Sequence, residues 1–342
     1  MEQKEIISAV PVLDDMGNPW NFGWAKSMNF IYNPGLILAP RRSVHESDRY
    51  IAISSTHMLI AEILDNGFLG FIGMTLISLK DKKQSTQFRK IPFPLGCFEL
   101  PGNSEEGQIK VQGKKFIFNF SAMDEGVRII QIDIPRFGHN MSLRGKLVLT
   151  PPEGAESLLT HMPWRENKYA FRCSRRSPWY IAEGVILYGA NELVFTRGNS
   201  WGIYEWNRGV RPRADVRFWA AGCGRSGGRQ VGISVVYDSA DSAHGTENAF
   251  FLDGKIQKLY QVTFQVNPSN WLLPWRFTSN DHRLEMVFIP LLRKTETMQM
   301  FFHSLKLRQV SGAFSGKVIL DDNSEFEFQN ITGFAERRKT YL

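Results

Sequence analysis

The chain has 342 residues, 43% hydrophobic and 22% charged, with 13% aromatic residues and a net charge of +7. This composition excludes a disordered or fibrous protein and supplies enough chain for two ordinary domains or one large β domain. The basic charge is spread among acidic residues and no nucleic-acid motif accompanies it, so no nucleic-acid partner is expected.

The first 43 residues alternate turn formers with rings, as in Asn18-Pro19-Trp20-Asn21-Phe22-Gly23-Trp24. That pattern predicts a segment wrapped on a core and pinned by its aromatics. From Tyr50 the pattern turns to strands. Tyr50–Ser55, His57–Leu64 and Phe68–Leu79 are apolar or β-branched runs, the last two separated by the hairpin turn Asp65-Asn66-Gly67. Gln108–Val111 with Lys115–Phe120, Val127–Ile134 and Arg144–Thr150 continue the series. Pro151–Asn167 is rich in Pro, Gly and charge and is the expected boundary between domains 1–160 and 161–342, with a short helix over Ala155–His161. Further strands are expected at Ala182–Tyr188, Leu193–Thr196, Val216–Ala221, Gln230–Tyr237, Ala249–Leu252, Leu259–Val266, Leu284–Pro290 and Met298–Val310. Sustained helical spacing is absent, so the fold class is all-β: two antiparallel barrels or sandwiches packed together.

Cys97, Cys173 and Cys223 are too few and too widely spaced for a disulfide framework or a zinc site. No histidines pair at metal-ligand spacing, so no metal is expected. The start, Met1 to Glu5, is charged, and the longest apolar run is Gly67 to Leu79, too short for a membrane span. A cytoplasmic protein is the expectation. Gly222-Cys223-Gly224-Arg225-Ser226-Gly227 matches a dinucleotide fingerprint as a string, but it joins two strands and opens no helix, so no nucleotide cofactor is expected.

Chemistry concentrates in three stretches. Ser200–Arg213 holds Glu205 with Trp201, Tyr204, Trp206, Asn207, Arg208 and Arg211. Strand alternation there sends Tyr204, Trp206 and Arg208 to one side and Ile203, Glu205 and Asn207 to the other. This stretch lies in a run with ten arginines and no lysine, from Arg172 to Arg229. Arginine without lysine points to planar, bidentate partners such as carboxylates. His45-Glu46-Ser47-Asp48-Arg49 reads as a polar cluster leading into a strand, with Arg41, Arg42 and Arg49 as neutralising groups. His244 to Asn248 precedes the strand Ala249–Leu252, with Glu247 and Asn248 pointing one side chain into a pocket mouth.

These stretches resemble a known family, domain of unknown function 2804. The matching residues are Asn21-Phe22-Gly23-Trp24-Ala25, Tyr204-Glu205-Trp206-Asn207-Arg208-Gly209-Val210, Gly245-Thr246-Glu247-Asn248-Ala249, Phe314-Ser315-Gly316 and Gly333-Phe334-Ala335-Glu336. The family pattern has Asp-Trp-Gly-Arg-Gly where this chain has Glu205-Trp206-Asn207-Arg208-Gly209. The family is similar to the carotenoid hydratase and tocopherol cyclase group, which implies a pair of lipocalin-like barrels with a pocket between or within them.

The functional expectation is a cofactor-independent acid–base enzyme acting on a small molecule. Glu205 would be the general acid, with Glu247, Asp48 or Glu46 as second carboxylate and Trp201, Tyr204 and Trp206 as walls. Arg208, Arg211, Asn207, Asn248, His45 and His244 would bind substrate. The reaction would be hydratase- or cyclase-like on a hydrophobic substrate, or hydrolase or lyase chemistry at a glycosidic carbon. The competing reading is a non-catalytic lipocalin-like carrier in which Glu205 is a structural partner of the arginines.

Overall fold

The structure is a computed structural model that describes residues 3–113, 116–300 and 303–341. Lys115, in the expected strand Lys115–Phe120, and Phe301 and Phe302, in the expected strand Met298–Val310, lie outside the described residues. Among the described residues there is no α-helix, only three short 3-10 turns. Among the described residues no helix is long and apolar enough to cross a membrane. The strands form two large antiparallel sheets of thirteen and nine strands, with one small two-stranded pair. Each large sheet curls as a half-barrel over its own core, which is the expected all-β pair.

Along its main path the first sheet runs Lys83–Pro92, Leu69–Ser78, His57–Asp65, Val44–Ile53, Trp201–Val210, Asn167–Tyr188, Met141–Thr150, Arg128–Phe137, Phe116–Ala122, Gln108–Gly113. The second places Ala214–Ser226 and Arg229–Tyr237 on one side of Glu325–Tyr341, and His303–Ile319 and Leu284–Met300 on the other. The chain changes sheet at residues 211–213, later than the boundary expected after residue 160. Pro212 stands in that gap, where a residue without an N–H donor interrupts strand pairing.

Three layers of apolar side chains result. Tyr50, Phe120, Leu147, Tyr180, Tyr204 and Trp206 belong to the first core, and Trp275, Phe277, Phe288, Phe314 and Phe328 to the second. Between the sheets lie Ile51, Ile53, Trp201, Ile203, Trp219 and Phe334. The sheets meet closely at Gly232, where a Cβ would lie 2.2 Å from the carbonyl oxygen of Pro178. Any larger residue there would push the sheets apart. Pro178 sits where the pairing of Asn167–Tyr188 with Trp201–Val210 slips, between Ser177 and Tyr180.

Two expected elements differ. Ala155–His161 is not helical, because Leu158–Trp164 is a strand laid on Asn167–Tyr188. Leu158, Leu159, Thr160 and His161 are all buried, which leaves no solvent face for a helix. Met298–Val310 is not one strand either. Met300 pairs with His303, so the chain reverses there and both flanks join long strands.

Candidate functional site

Trp201–Val210 runs antiparallel to Val44–Ile53, with Tyr204 opposite Tyr50, Glu205 opposite Arg49, Trp206 opposite Asp48 and Arg208 opposite Glu46. All ten residues of each strand are buried. Residues directly opposite share a face and neighbours along the strand alternate. The predicted alternation of Tyr204, Trp206 and Arg208 against Ile203, Glu205 and Asn207 is therefore real. Its consequence is that the expected site divides into two chambers.

The chamber inside the first barrel holds Glu46, Asp48, Tyr204, Trp206 and Arg208. The Tyr204 hydroxyl donates to Asp48 Oδ1 at 2.7 Å, and Arg208 Nη2 lies 2.7 Å from Asp48 Oδ2. Glu46 accepts from the Tyr32 hydroxyl at 2.9 Å and from Arg41 at 2.8 Å. Tyr50 stacks on Tyr204 at 4.8 Å, with the Arg128 guanidinium 4.6 Å from the Tyr204 ring centre. Burial, with Asp48 beside it, pushes the Tyr204 phenol well up, and burial with Glu46 does the same for Tyr32, so both stay protonated donors. All four carboxylate oxygens in this chamber are occupied. These residues form a sealed structural core, and the sequence reading of His45–Arg49 as a polar cluster before a strand gives way to a fully buried strand interior. Covered on both faces, it shows no apolar alternation.

The chamber between the sheets holds Glu205. It lies 3.1 Å from Arg176 Nη2, 3.2 Å from Arg217 Nη1 and 3.7 Å from Arg49 Nη1. From there a continuous ion network extends both ways. Arg49 also pairs with Glu336 at 3.0 Å and Glu62 at 3.5 Å, and Arg338 meets Glu62 at 2.7 Å. Arg176 and Arg217 reach Glu247 at 3.2 and 3.3 Å, and Arg172 bonds both Glu247 and Asp238. Ser174 donates its hydroxyl to Glu247. Arg49, Arg172, Arg176, Arg217 and Arg338 thus balance Glu62, Glu205, Asp238, Glu247 and Glu336 in charge, with members from both sheets. The guanidiniums of Arg49, Arg176 and Arg217 lie 5.3, 5.2 and 5.9 Å from the ring centre of buried Trp219. An indole face both attracts and spaces such cations.

Burial raises the Glu205 carboxyl, but Arg176, Arg49 and Arg217 more than offset it and hold it well below the usual carboxylate range. Burial likewise raises the Glu247 carboxyl, and Arg172, Arg217 and Arg176 overcome it, so Glu247 is also held low. Three guanidiniums within 3.7 Å favour the ionised form of Glu205, an arrangement that suits a structural partner better than the general acid expected of it. Glu247 does share its surroundings, as expected, while Asp48 and Glu46 lie on the opposite face of the sheet. Arg208 serves Asp48 rather than Glu205. Tyr204 and Trp206 wall the first barrel, not the Glu205 chamber, whereas Trp201 belongs to the layer between the sheets.

The remaining expected residues scatter. Arg211 bonds the His45 ring at 2.7 Å and Thr340 at 2.8 Å. Burial and Arg211 push His45 well below its ordinary value, so it is neutral. Asn207 bridges the sheet with its amide to Glu205 and Ser47 at 3.0 and 3.2 Å. Asn248 has its oxygen on Val236 N at 2.6 Å and its amide on Tyr260 O at 2.9 Å, an anchoring role. His244 is exposed, stacked on Phe22 at 5.7 Å.

The network surfaces at one end. A cavity of about 310 Å³ lies against it, lined by Asp238, Glu247, Thr246, Asn248, Gln261 and Thr263 together with Met162, Val236, Tyr237 and Val262. Met162 comes from the first sheet, Val236, Tyr237, Val262 and Thr263 from strands of the second, and Asp238, Thr246, Glu247, Asn248 and Gln261 from the segments that connect the second sheet's strands. Asp238 and Glu247 accept from the same Arg172 nitrogen, Nη2. Sequence reasoning found Glu247 and missed Asp238, Tyr237, Arg176, Arg217 and Trp219. The available signal for the arginines was the lysine-free run that contains them. For Asp238 there was only its place after the strand Gln230–Tyr237.

The chain belongs to the family of domain of unknown function DUF2804, whose model matches residues 3–341. No curated protein sequence matches it. Among solved structures it is similar to CghA with Sch210972, at 9% identity, covering 88% of this chain and 89% of that chain with a TM-score of 0.54. AttH from Nitrosomonas europaea matches at 11% identity, 86% and 91% coverage and a TM-score of 0.49. Kievitone hydratase from Nectria haematococca matches at 10% identity, 86% and 88% coverage and a TM-score of 0.48. The CghA likeness is one of fold, the lipocalin-like double barrel.

Proposed function

We propose that this member of the family is a hydratase- or cyclase-like enzyme whose small-molecule substrate sits in the cavity between the two half-barrels. The observation that carries the reading is the concave space of about 310 Å³ with Asp238 and Glu247 on its wall and the phenol of Tyr237 at its rim. Its volume falls at the lower end of ordinary ligand sites, and convergent polar groups in a partly apolar hollow are their usual mark. CghA, of the same fold, is seen with Sch210972, which supports a small-molecule ligand for this architecture.

In this mechanism Asp238 accepts the proton of a water or substrate hydroxyl as its oxygen attacks an alkene carbon. Tyr237 gives a proton to the adjacent carbon, and the proton on Asp238 returns to the phenolate through solvent. The sum is addition of O–H across a double bond, with Asp238 and Tyr237 restored. Glu247, fixed by three arginines, stays ionised and holds the Arg172 guanidinium behind Asp238. The glycosidic alternative fits less well. Such chemistry places the reacting carbon between two carboxylates, and here one guanidinium nitrogen occupies that position.

A carrier that shares the fold would hold the same molecule unchanged. Incubation of the protein with a fractionated small-molecule extract, read by mass spectrometry, separates the two. The enzyme reading expects a species that gains one water or isomerises with wild type and persists unchanged with Asp238→Asn. Recovery of the bound molecule unaltered by wild type would leave the carrier.

A further inference from the structure

We infer that the cavity between the sheets selects a ligand whose buried end is a neutral hydroxyl, and that it rejects carboxylate and phosphate head groups. The inference rests on the cavity reading above and specifies its substrate class.

The wall contains two carboxylates, Asp238 and Glu247, and among the described residues that line it there is no lysine, arginine or histidine. The guanidiniums of the network stand behind the carboxylates rather than on the wall. Arg172 gives Nη2 to Asp238 and Glu247, and Arg217 gives Nη2 to Glu247 at 3.3 Å. An anionic head group would give up its hydration in a partly desolvated space whose wall holds no cation to receive it, and burying an uncompensated ion is costly. A hydrogen-bond donor meets free lone pairs at Asp238, which has about four acceptor positions and spends them only on Arg172 Nη2 and the Ala240 N–H, whereas Glu247 is filled by Ser174, Arg172, Arg176 and Arg217.

Donors come as hydroxyls or as ammonium groups, and the charge balance decides between them. Five guanidiniums already neutralise five carboxylates in the connected network. An added ammonium would give up its hydration for a site whose net charge is near zero, and burying an uncompensated ion is costly. A hydroxyl loses far less hydration and still donates. The other polar side chains agree in part: Thr246 and Asn248 spend their groups within the protein, on Leu259 O and Tyr260 O, and leave Asp238 as the principal partner. Met162, Val236 and Val262 then receive an apolar body.

The test is calorimetric titration of the wild-type protein with three probes that share one ring system: 1-naphthalenemethanol, 1-naphthoate and 1-naphthylmethylammonium. The expected order is alcohol tightest, with naphthoate weaker by about tenfold or more, the equivalent of about 1.4 kcal/mol. Asp238→Asn removes one charge and should narrow the alcohol-to-naphthoate ratio toward unity. Naphthoate binding as tightly as the alcohol, ammonium binding tighter than it, or no alcohol binding at millimolar concentration would each overturn the inference. The wild-type order alone decides it should Asp238→Asn fold poorly. An alcohol that binds in the expected order with no turnover of any alkene would sink the enzyme reading and leave this inference standing.

Discussion

The two faces of the strand Trp201–Val210 carry the same kinds of side chain into different surroundings. On one face Arg208, Asp48 and Tyr204 form a pair and a phenol bond inside the first barrel, every carboxylate oxygen occupied. On the other, Glu205 is one of ten alternating charges that tie one sheet to the other and end at a cavity. A buried arginine–carboxylate pair therefore says little about function by itself. What distinguishes the second chamber is that its charges come from both sheets and reach open space at Asp238.

The comparison can be broken most forcefully at Arg176, whose Nη2 serves Glu205 and Glu247 together. Arg176→Met leaves both carboxylates buried with fewer partners and should cost about 3–5 kcal/mol in urea unfolding. In the first barrel, Asp48→Asn should cost less, about 1–3 kcal/mol, because Arg208 keeps the carbonyl oxygens of Pro101, Ser47 and Asn207 as acceptors. Equal losses at the two sites would erase the distinction between a bridging network and a local pair.

Acid should act on the network and leave the first barrel's phenols, protonated throughout, unchanged. The folded carboxyls of Glu205 and Glu247 lie below their ordinary value near 4.5, so their stabilisation is complete above that value and is lost as pH falls through the folded ones. His45 adds a shallower decline that begins nearer pH 6.5, because it is held neutral in the fold and the unfolded chain takes up its proton first. Melting temperature measured from pH 8 to pH 3 should show this two-stage fall, and His45→Gln should remove the upper stage alone. The smallest effect belongs to Tyr237, which is 59% exposed at the cavity rim. Tyr237→Phe should change stability by less than about 0.5 kcal/mol while lowering turnover.

Much of the fold was legible because period-two alternation and turn residues such as Asp65-Asn66-Gly67 are local signals. The division of Tyr204, Trp206 and Arg208 from Glu205 and Asn207 was legible for the same reason. What the chain does not display locally is register. Glu205 meets Arg49, and Arg49 meets Glu336, only once distant strands pair. The strand Val44–Ile53 was obscured by its own polarity, since His45-Glu46-Ser47-Asp48-Arg49 supplies polar groups to both chambers and so imitates a solvated turn. The arginine run was the one compositional trace of the network, and Glu205 is its structural centre.

The account's central claim is that the ligand occupies the space beside Asp238 and Glu247, not the interior of the first barrel. A crystal structure of the protein grown with 1-naphthalenemethanol tests it directly. The account predicts ligand density in the cavity between the sheets, with the hydroxyl within hydrogen-bond reach of Asp238. Density inside the first barrel, beside Asp48 and Tyr204, would contradict it.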